Sequence, residues 1–272
     1  MTEDESQEPR PEGTRSQEEQ PLAMAPDSVM PEGPPAAPPP LERYPFWDYS
    51  DILIFIGLAL PSLLAAELLV KGFLALFHFR PSVTVVELLP AQFIGYVFLF
   101  GGLWGIFRLK YDRPFWRSLA WRGMRVPFSL VIVCGFMAAL GVSVASALIH
   151  TPDTNNPMTE LMEGRAALII MAVFGVTLGP LFEELAFRGF LQPLLVRSVG
   201  ALGGVLLAAV PFGLLHYHEY GNSWRHALVI SLAGASFGAM KETTGSTRAS
   251  TLMHAAYNAF FFVALFARKG QP

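Results

Sequence analysis

The sequence is poor in charge and in cysteine. Only 15% of its 272 residues are charged and 52% are hydrophobic, whereas soluble domains carry about 25% charged residues. Its one cysteine, Cys134, excludes an internal disulfide framework and a thiolate metal site, and we interpret it as a small buried hydrophobe. The amino terminus lacks a basic stretch followed by an apolar one, so no cleaved signal peptide is expected.

Long apolar runs are what the sequence has instead. Several approach the roughly 20 residues that a helix needs to cross the hydrocarbon core of a bilayer, and their continuity favours helices over a membrane barrel. We therefore predict an all-α, polytopic transmembrane helix bundle with about seven spans, in a range of six to eight. The runs cover 52–77, 83–109, 126–148, 166–183, 202–215, 227–240 and 251–266.

The first part of the chain differs from the rest. It is rich in Pro, Glu, Gln and Ser, and it includes a proline-rich run at 34–40. Such a segment buries too little apolar surface to offset the entropy of ordering. We predict a disordered acidic tail over 1–46 and a transmembrane helical domain over 47–272, with the aromatic residues Tyr44, Phe46, Trp47 and Tyr49 forming an interfacial belt before the first span.

Basic residues set the predicted orientation. Five of them lie in the short connection 110–125, and such connections are typically cytoplasmic. The loop 149–164 is acidic, which suits the opposite side. Counting spans then places Arg188, Arg197, Lys241 and Arg248 inside, and the amino-terminal tail is predicted to be cytoplasmic too.

Ionisable residues inside membrane runs are costly and usually functional. The first group is Glu183-Glu184-Leu-Ala-Phe-Arg188. Glu184 and Arg188 are one helical turn apart and can pair, whereas Glu183 is rotated by about 100° and points elsewhere. Adjacent carboxylates at low dielectric push their proton affinities apart, which suits one of them to act as a base. The alternative is a solvated helix end.

Two further groups lie on later helices. Phe212 precedes His216 by four residues, and His254 precedes Asn258 by four. A lone histidine near a membrane boundary is usually structural, and interhelical hydrogen bonding is an alternative for the second group. Together the three groups supply a base, nitrogens that orient water or bind metal, and an oxyanion donor. His218 and Glu219 do not form a metalloprotease motif, and we leave them outside the predicted site.

Two other patterns have structural interpretations. Glu67 and Lys71 are one turn apart in the first run and are predicted to pair. Gly234 and Gly238 form a small-residue face that favours close helix packing.

The three motifs resemble a known family. Glu-Glu-x-x-x-Arg, Phe-x-x-x-His and His-x-x-x-Asn, in this order on successive membrane helices, are similar to the motifs of the CPBP family, which includes CAAX prenyl endopeptidases of the Rce type and bacteriocin-processing or self-immunity proteins. The resemblance covers roughly 50–268, and its specific part is a protease core at about 165–268.

The resemblance implies an intramembrane active site in which glutamate activates water. Carried over to this sequence, Glu183 is the base aided by His216, while His254 and Asn258 complete the site and stabilise the oxyanion. Glu184, Arg188 and Phe212 would support them. The family is often described as metalloendopeptidases, and a metal-free mechanism is also argued for it. Zinc held by Glu183, His216 and His254 and a metal-free site both remain open.

We therefore predict an intramembrane endopeptidase that cleaves a membrane-associated protein or peptide, by CAAX-type or related processing. Its partners would be the bilayer and that substrate, prenylated only where the host makes such proteins, and no nucleic acid. The protein would be multi-pass, in the plasma membrane if the host is a bacterium. The alternative is a non-catalytic scaffold or immunity protein that retains the fold. A transporter would show two related halves, and none is apparent.

Overall fold

The computed structural model describes residues 43–81, 83–152 and 157–269. Within these residues the structure is helical and contains no strand, which confirms the predicted all-α class. The predicted tail, apart from residues 43–46, lies outside the described residues. The helices are α1 (Tyr49–Leu76), α2 (Val85–Gly105), α3 (Phe115–Ser118), α4 (Phe128–Leu148), α5 (Pro157–Leu161), α6 (Arg165–Val176), α7 (Leu178–Glu184), α8 (Gln192–Leu215), α9 (Trp224–Thr244) and α10 (Thr247–Lys269). Wider π-helical turns follow α2 at Ile106–Lys110 and α7 at Leu185–Leu191.

Five stretches of the described chain are long and apolar enough to cross a membrane, judged by length and composition. Four of them contain α1, α2, α4 and α10 and match predicted runs. The fifth, Arg165–Leu215, joins the predicted runs 166–183 and 202–215 into one interrupted stretch. The predicted run 227–240 lies in α9, which is not among the five because it is rich in small residues and is charged near its end.

The 165–215 stretch is broken in two places by backbone chemistry. Thr177 leaves the helical region (φ −122°, ψ −81°) and separates α6 from α7. Pro180 has no N–H to donate to the Val176 carbonyl, so an uninterrupted helix would lose a bond here, whereas a proline in the first turn of a new helix costs little. Gly200 has φ 82° and kinks α8, a conformation that glycine adopts without strain.

One end of the bundle is fastened by a buried carboxylate. Asp51, at the start of α1, is fully buried and accepts hydrogen bonds from Lys110 Nζ at 2.7 Å and from the Tyr111 hydroxyl at 2.6 Å. Thr247 N donates to Ala120 O at 3.1 Å, so the start of α10 meets the basic connection at this end too. The starts of α1 and α10 and the 110–125 connection thus share one end of the bundle.

Trp47 differs from the prediction. It is fully buried, its Nε1 donates to Phe190 O at 3.0 Å, and its ring lies against Phe107. Phe46 packs against the same cluster. Trp47 is therefore a core residue rather than a member of an interfacial belt, since an indole whose N–H is already bonded inside the protein has no need of the membrane interface.

The opposite end joins different loops. Met158 N of α5 donates to Glu219 O at 3.3 Å, and Arg225 Nη1 donates to His150 O at 2.9 Å. Between the two ends, α4, α9 and α10 pack around Val131, Phe237 and Met253. Close approach needs a glycine: a Cβ on Gly135 would lie 2.5 Å from the Met253 carbonyl oxygen. These contacts fix α10 against the helices that carry the other polar motifs.

Two structural predictions hold and one is refined. Lys71 Nζ lies 2.5 Å from Glu67 Oε1, which confirms that pair. A Cβ on Gly234 would meet Phe212 at 2.8 Å and one on Gly238 would meet Gln192 at 2.7 Å, so the small-residue face does pack closely. Cys134 is half-buried rather than fully buried.

Candidate active site within the membrane bundle

A cavity of about 1230 Å³ lies between the helices. Glu183 from α7, His216 after α8, and His254 and Asn258 from α10 all line it. These are the four residues that the sequence predicts as catalytic. The fold brings them from three separate helical segments to the same cavity. Phe212 also lines it.

Arg188 is the charged centre behind the cavity wall. It is fully buried, its Nη1 donates to Glu184 Oε1 at 2.9 Å, and its Nη2 donates to the Gly234 carbonyl at 2.7 Å. Its guanidinium group lies 4.4 Å from the centre of the Phe212 ring, within the range of a cation–π contact. The predicted Glu184–Arg188 pair is present, and it is wholly enclosed by protein.

His254 is held on two sides. Its Nδ1 donates to Glu184 Oε1 at 3.1 Å, and its ring stacks on Phe237 at 4.4 Å with an angle of 18° between the planes. Because an ionised carboxylate can only accept, the hydrogen bond places the proton on Nδ1 and leaves Nε2 as an acceptor in the neutral ring. Glu184 therefore sets both the orientation and the tautomer of His254.

Glu183 faces the cavity, away from Arg188. About a quarter of its side chain is exposed, whereas that of Glu184 is fully buried. Glu183 Oε2 lies 3.9 Å from His254 Nε2, which is too long for a direct hydrogen bond and suits a water molecule that contacts both atoms. The two adjacent glutamates thus have separate environments, one structural and one facing the cavity.

His216 presents one nitrogen to the cavity. Its Nδ1 donates to the Phe212 carbonyl at 2.8 Å, because a carbonyl oxygen only accepts, so Nε2 is left as the free acceptor. The Phe212 ring lies 5.0 Å from the His216 ring and 5.8 Å from the His254 ring. Phe212 separates the two imidazoles and contacts both.

Asn258 is already engaged in the protein. Its Nδ2 donates to the Gly175 carbonyl at 2.7 Å, just before the break between α6 and α7. Gly175 is the last but one residue of α6, where carbonyl groups lose their helical partners. Asn258 therefore ties α10 to this break, and only the second proton of its amide is left to act as an oxyanion donor.

Comparison with known protein families gives a match for the part of the chain that carries the site. Residues 164–260 match the family model described as Type II CAAX prenyl endopeptidase Rce1-like. This segment of the chain is similar to that family. It contains every residue of the three motifs, which agrees with the predicted CPBP resemblance. No curated protein and no solved structure gives a significant match.

The predicted site left out one acidic residue of segment 164–260 that lines the cavity. Glu219 lines it together with Tyr220. Burial raises the pKa of Glu219; the nearby His216 lowers it and the Glu183 carboxylate raises it. Burial also raises the pKa of Tyr220 to about 12, with Glu219 adding to the effect. No motif indicated Glu219, because its position depends on the turn after α8 and on the contact of that turn with Met158.

The side chains that line the cavity do not form a zinc site as they stand. Within 43–81, 83–152 and 157–269, no three His, Cys, Asp or Glu side chains are grouped so that they could hold a metal ion. His254 Nδ1 and His216 Nδ1 are both committed to protein oxygens, and only their Nε2 atoms are free. The proposed zinc ligands Glu183, His216 and His254 are therefore not grouped around one point.

Proposed function

We propose that the protein is an intramembrane endopeptidase in which Glu183 activates a water molecule. The observation that carries this is the position of a partly exposed Glu183, whose Oε2 lies 3.9 Å from His254 Nε2, while Glu184 and Arg188 are buried. If the two glutamates served only to hold the helices together, Glu183 would not need to face a cavity. The Rce1-like match of residues 164–260 supports the same class of enzyme.

The proposed chemistry uses groups of this chain alone. A water molecule between Glu183 Oε2 and His254 Nε2 gives a proton to Glu183 as its oxygen attacks the carbonyl carbon of the scissile peptide bond. The carbonyl oxygen becomes an oxyanion, which the remaining Asn258 amide proton is placed to stabilise. Collapse of this intermediate breaks the C–N bond, and the proton on Glu183 passes to the departing amine.

The role of His216 follows from its free Nε2. We propose that it accepts a hydrogen bond from the water or from the substrate on the side of the cavity opposite His254. The two histidines that line the cavity with Glu183 are held by different hydrogen bonds, His254 by Glu184 and His216 by the Phe212 carbonyl.

The substrate is proposed to be a membrane-associated protein or peptide. The cavity lies among helices that are apolar enough to cross a membrane, and apolar side chains such as Phe174, Met171, Phe262 and Leu265 form much of its wall. Processing of CAAX-type prenylated proteins, which the family description names, is the finer proposal where the host makes such proteins. The proposed location is the membrane, with the amino-terminal tail in the cytoplasm.

A comparison of membrane fractions tests the function. Cells with the wild-type protein and cells with Glu183→Ala or His216→Ala are compared by proteomics, with Glu163→Gln as a control because Glu163 is exposed and outside the cavity. We expect one or more membrane proteins to accumulate uncleaved in both variants and to be processed in the wild type and the control. Unchanged processing in either variant, with the protein inserted at normal levels, would point to a scaffold.

A further inference from the structure

A polar pair lies on α2, before the segment that matches the family model, and one of its two members lines the same cavity. Gln92 and Tyr96 are one helical turn apart, so they lie on the same face of α2. Gln92 lines the cavity that Glu183, His216 and His254 line. Neither residue belongs to a motif that the sequence indicates, and both precede residues 164–260.

The two side chains are bonded to each other in a way that leaves hydrogen-bonding capacity free. Gln92 Nε2 donates to the Tyr96 hydroxyl oxygen at 2.8 Å. Among the residues that the structure describes, no acceptor is bonded to the Tyr96 hydroxyl proton and no donor is bonded to Gln92 Oε1. The pair thus offers two donors, the Tyr96 O–H and the second Gln92 Nε2–H, and one amide acceptor, the Gln92 carbonyl. Rotating the amide by 180° reverses the hydrogen bond between the two side chains and still leaves donors and an acceptor.

The pair is placed beside the base. The Tyr96 ring lies 4.8 Å from the ring of Phe182, the residue directly before Glu183. Gln92 and Glu183 also line one cavity. A group bound at Gln92 and Tyr96 would therefore lie close to the peptide bond that the water activated by Glu183 attacks.

One donor and one acceptor are the complement of a peptide group, which has one C=O and one N–H. A substrate segment that is extended within the membrane has no water to satisfy these groups, and each unpaired one costs free energy. We propose that Gln92 and Tyr96 bind one backbone peptide group of the substrate beside the scissile bond, with Tyr96 O–H donating to its carbonyl and Gln92 Oε1 accepting from its N–H. This inference rests on the proposed peptidase function.

Binding to an inactive variant tests the pair separately from catalysis. The full-length Glu183→Gln protein, reconstituted in phosphatidylcholine vesicles, is titrated with a fluorescent farnesylated peptide that ends in a CAAX sequence. The same titration is made with Tyr96→Phe and with Gln92→Met added. We expect each change to raise Kd about tenfold, the effect of losing one well-placed hydrogen bond in a buried site.

A matched control removes a hydroxyl elsewhere. Tyr49→Phe deletes the hydroxyl that contacts Ser198 on an exposed part of the chain, and its Kd is expected to stay within twofold of the parent. The thermal unfolding midpoints of all variants should remain close to that of the parent, since Tyr96→Phe keeps the ring packed on Phe182. A raised Kd together with an unchanged midpoint supports recognition of the substrate rather than a structural role.

The outcomes separate this inference from the proposed function. An unchanged Kd in Tyr96→Phe and Gln92→Met overturns the proposed binding role of Gln92 and Tyr96, even when the wild type cleaves the peptide. A raised Kd in both variants with no cleavage by the wild type supports the pair as a peptide-binding element and contradicts the peptidase. If the Glu183→Gln protein does not bind the peptide at all, both the binding role of Gln92 and Tyr96 and the peptidase function are overturned for this class of peptide.

Discussion

At the scale of single residues, the central feature is the division of labour between Glu183 and Glu184. Adjacent residues on a helix point about 100° apart, and the fold uses this to bury one carboxylate with Arg188 and His254 while the other faces the cavity. Burying an unpaired charge in a membrane protein is costly. Arg188 therefore makes it possible to bury Glu184, and the buried Glu184 in turn holds His254 beside Glu183.

Removing the partner of Glu184 should destabilise the protein. Arg188→Ala leaves a buried carboxylate without its cation and removes the hydrogen bond to Gly234, and such changes cost about 3–5 kcal/mol. The free energy of unfolding in detergent, measured by thermal or denaturant melting, should fall by this order. Cleavage activity should be lost with it.

An exposed arginine provides the comparison. Arg108 pairs with Asp112 at 2.6 Å, but both side chains are largely exposed. Because exposed pairs contribute at most about 1 kcal/mol, the melting temperature of Arg108→Ala should be close to that of the wild type. Equal melting of Arg188→Ala and Arg108→Ala would contradict the structural role assigned to the buried pair.

Residue patterns predicted the short-range part of the site and missed the long-range part. The spacing of Glu184 and Arg188 indicates their pairing directly. The bond from Asn258 to Gly175 and the stacking of Phe237 on His254 join residues far apart in the chain, and periodicity does not report such contacts. Glu219, Gln92 and Tyr96 were missed for the same reason: packing of neighbouring helices, rather than their own spacing, brings them to the cavity or beside Glu183.

At the scale of helices, the break between α6 and α7 positions the base. Thr177 interrupts the helix, α7 begins at Leu178 with Pro180 in its first turn, and Glu183 follows Pro180 by about one turn. Asn258 satisfies a carbonyl that the break exposes. Hydropathy alone predicted a single run over 166–183, because a break that is compensated by a side chain from another helix leaves no mark in the apolar pattern.

Replacing Pro180 by a residue with a backbone N–H should change cleavage activity more than stability. In Pro180→Ala the new amide can donate to the Val176 carbonyl, which favours a continuous helix across Thr177. Glu183 would then turn relative to His254, and a misplacement of about 1 Å can cost roughly a hundredfold in rate. We expect cleavage to fall by this order while the melting temperature is unchanged or higher.

The control for this change is another proline within a helix. Pro61 lies inside α1 with its side chain exposed, and Pro61→Ala should leave cleavage unaffected. Normal activity in Pro180→Ala would show that the break does not position Glu183.

At the scale of the whole molecule, the connections 110–125 and 149–164, which lie at opposite ends of the bundle, differ in the sign of their charge. The basic connection 110–125 meets the starts of α1 and α10, whereas the 149–164 loop meets the turn after α8. The number of spans could be estimated from run length only approximately, because the run in α9 is short and weakly apolar and the 165–215 stretch is divided by backbone breaks. The helical class followed from run length alone.

Single-cysteine labelling tests the predicted orientation. With Cys134 changed to Ser, Gly123→Cys and Glu163→Cys each place one thiol on an exposed position at opposite ends, and a Cβ at Gly123 meets no neighbour. An impermeant maleimide should label Glu163→Cys in sealed cells and Gly123→Cys only after the membrane is opened. The reverse pattern would place the basic connection outside and contradict the orientation.

The most direct measurement of the central claim is hydrolysis by the purified protein. Wild type, Glu183→Gln and Glu163→Gln are reconstituted in vesicles with a membrane protein found uncleaved in Glu183→Ala cells, and the products are identified by mass spectrometry. The account predicts one peptide bond hydrolysed by wild type and Glu163→Gln, and a loss of at least about a thousandfold in Glu183→Gln, which keeps the shape of the side chain but removes the base. Cleavage by a folded Glu183→Gln protein at the wild-type rate would contradict it.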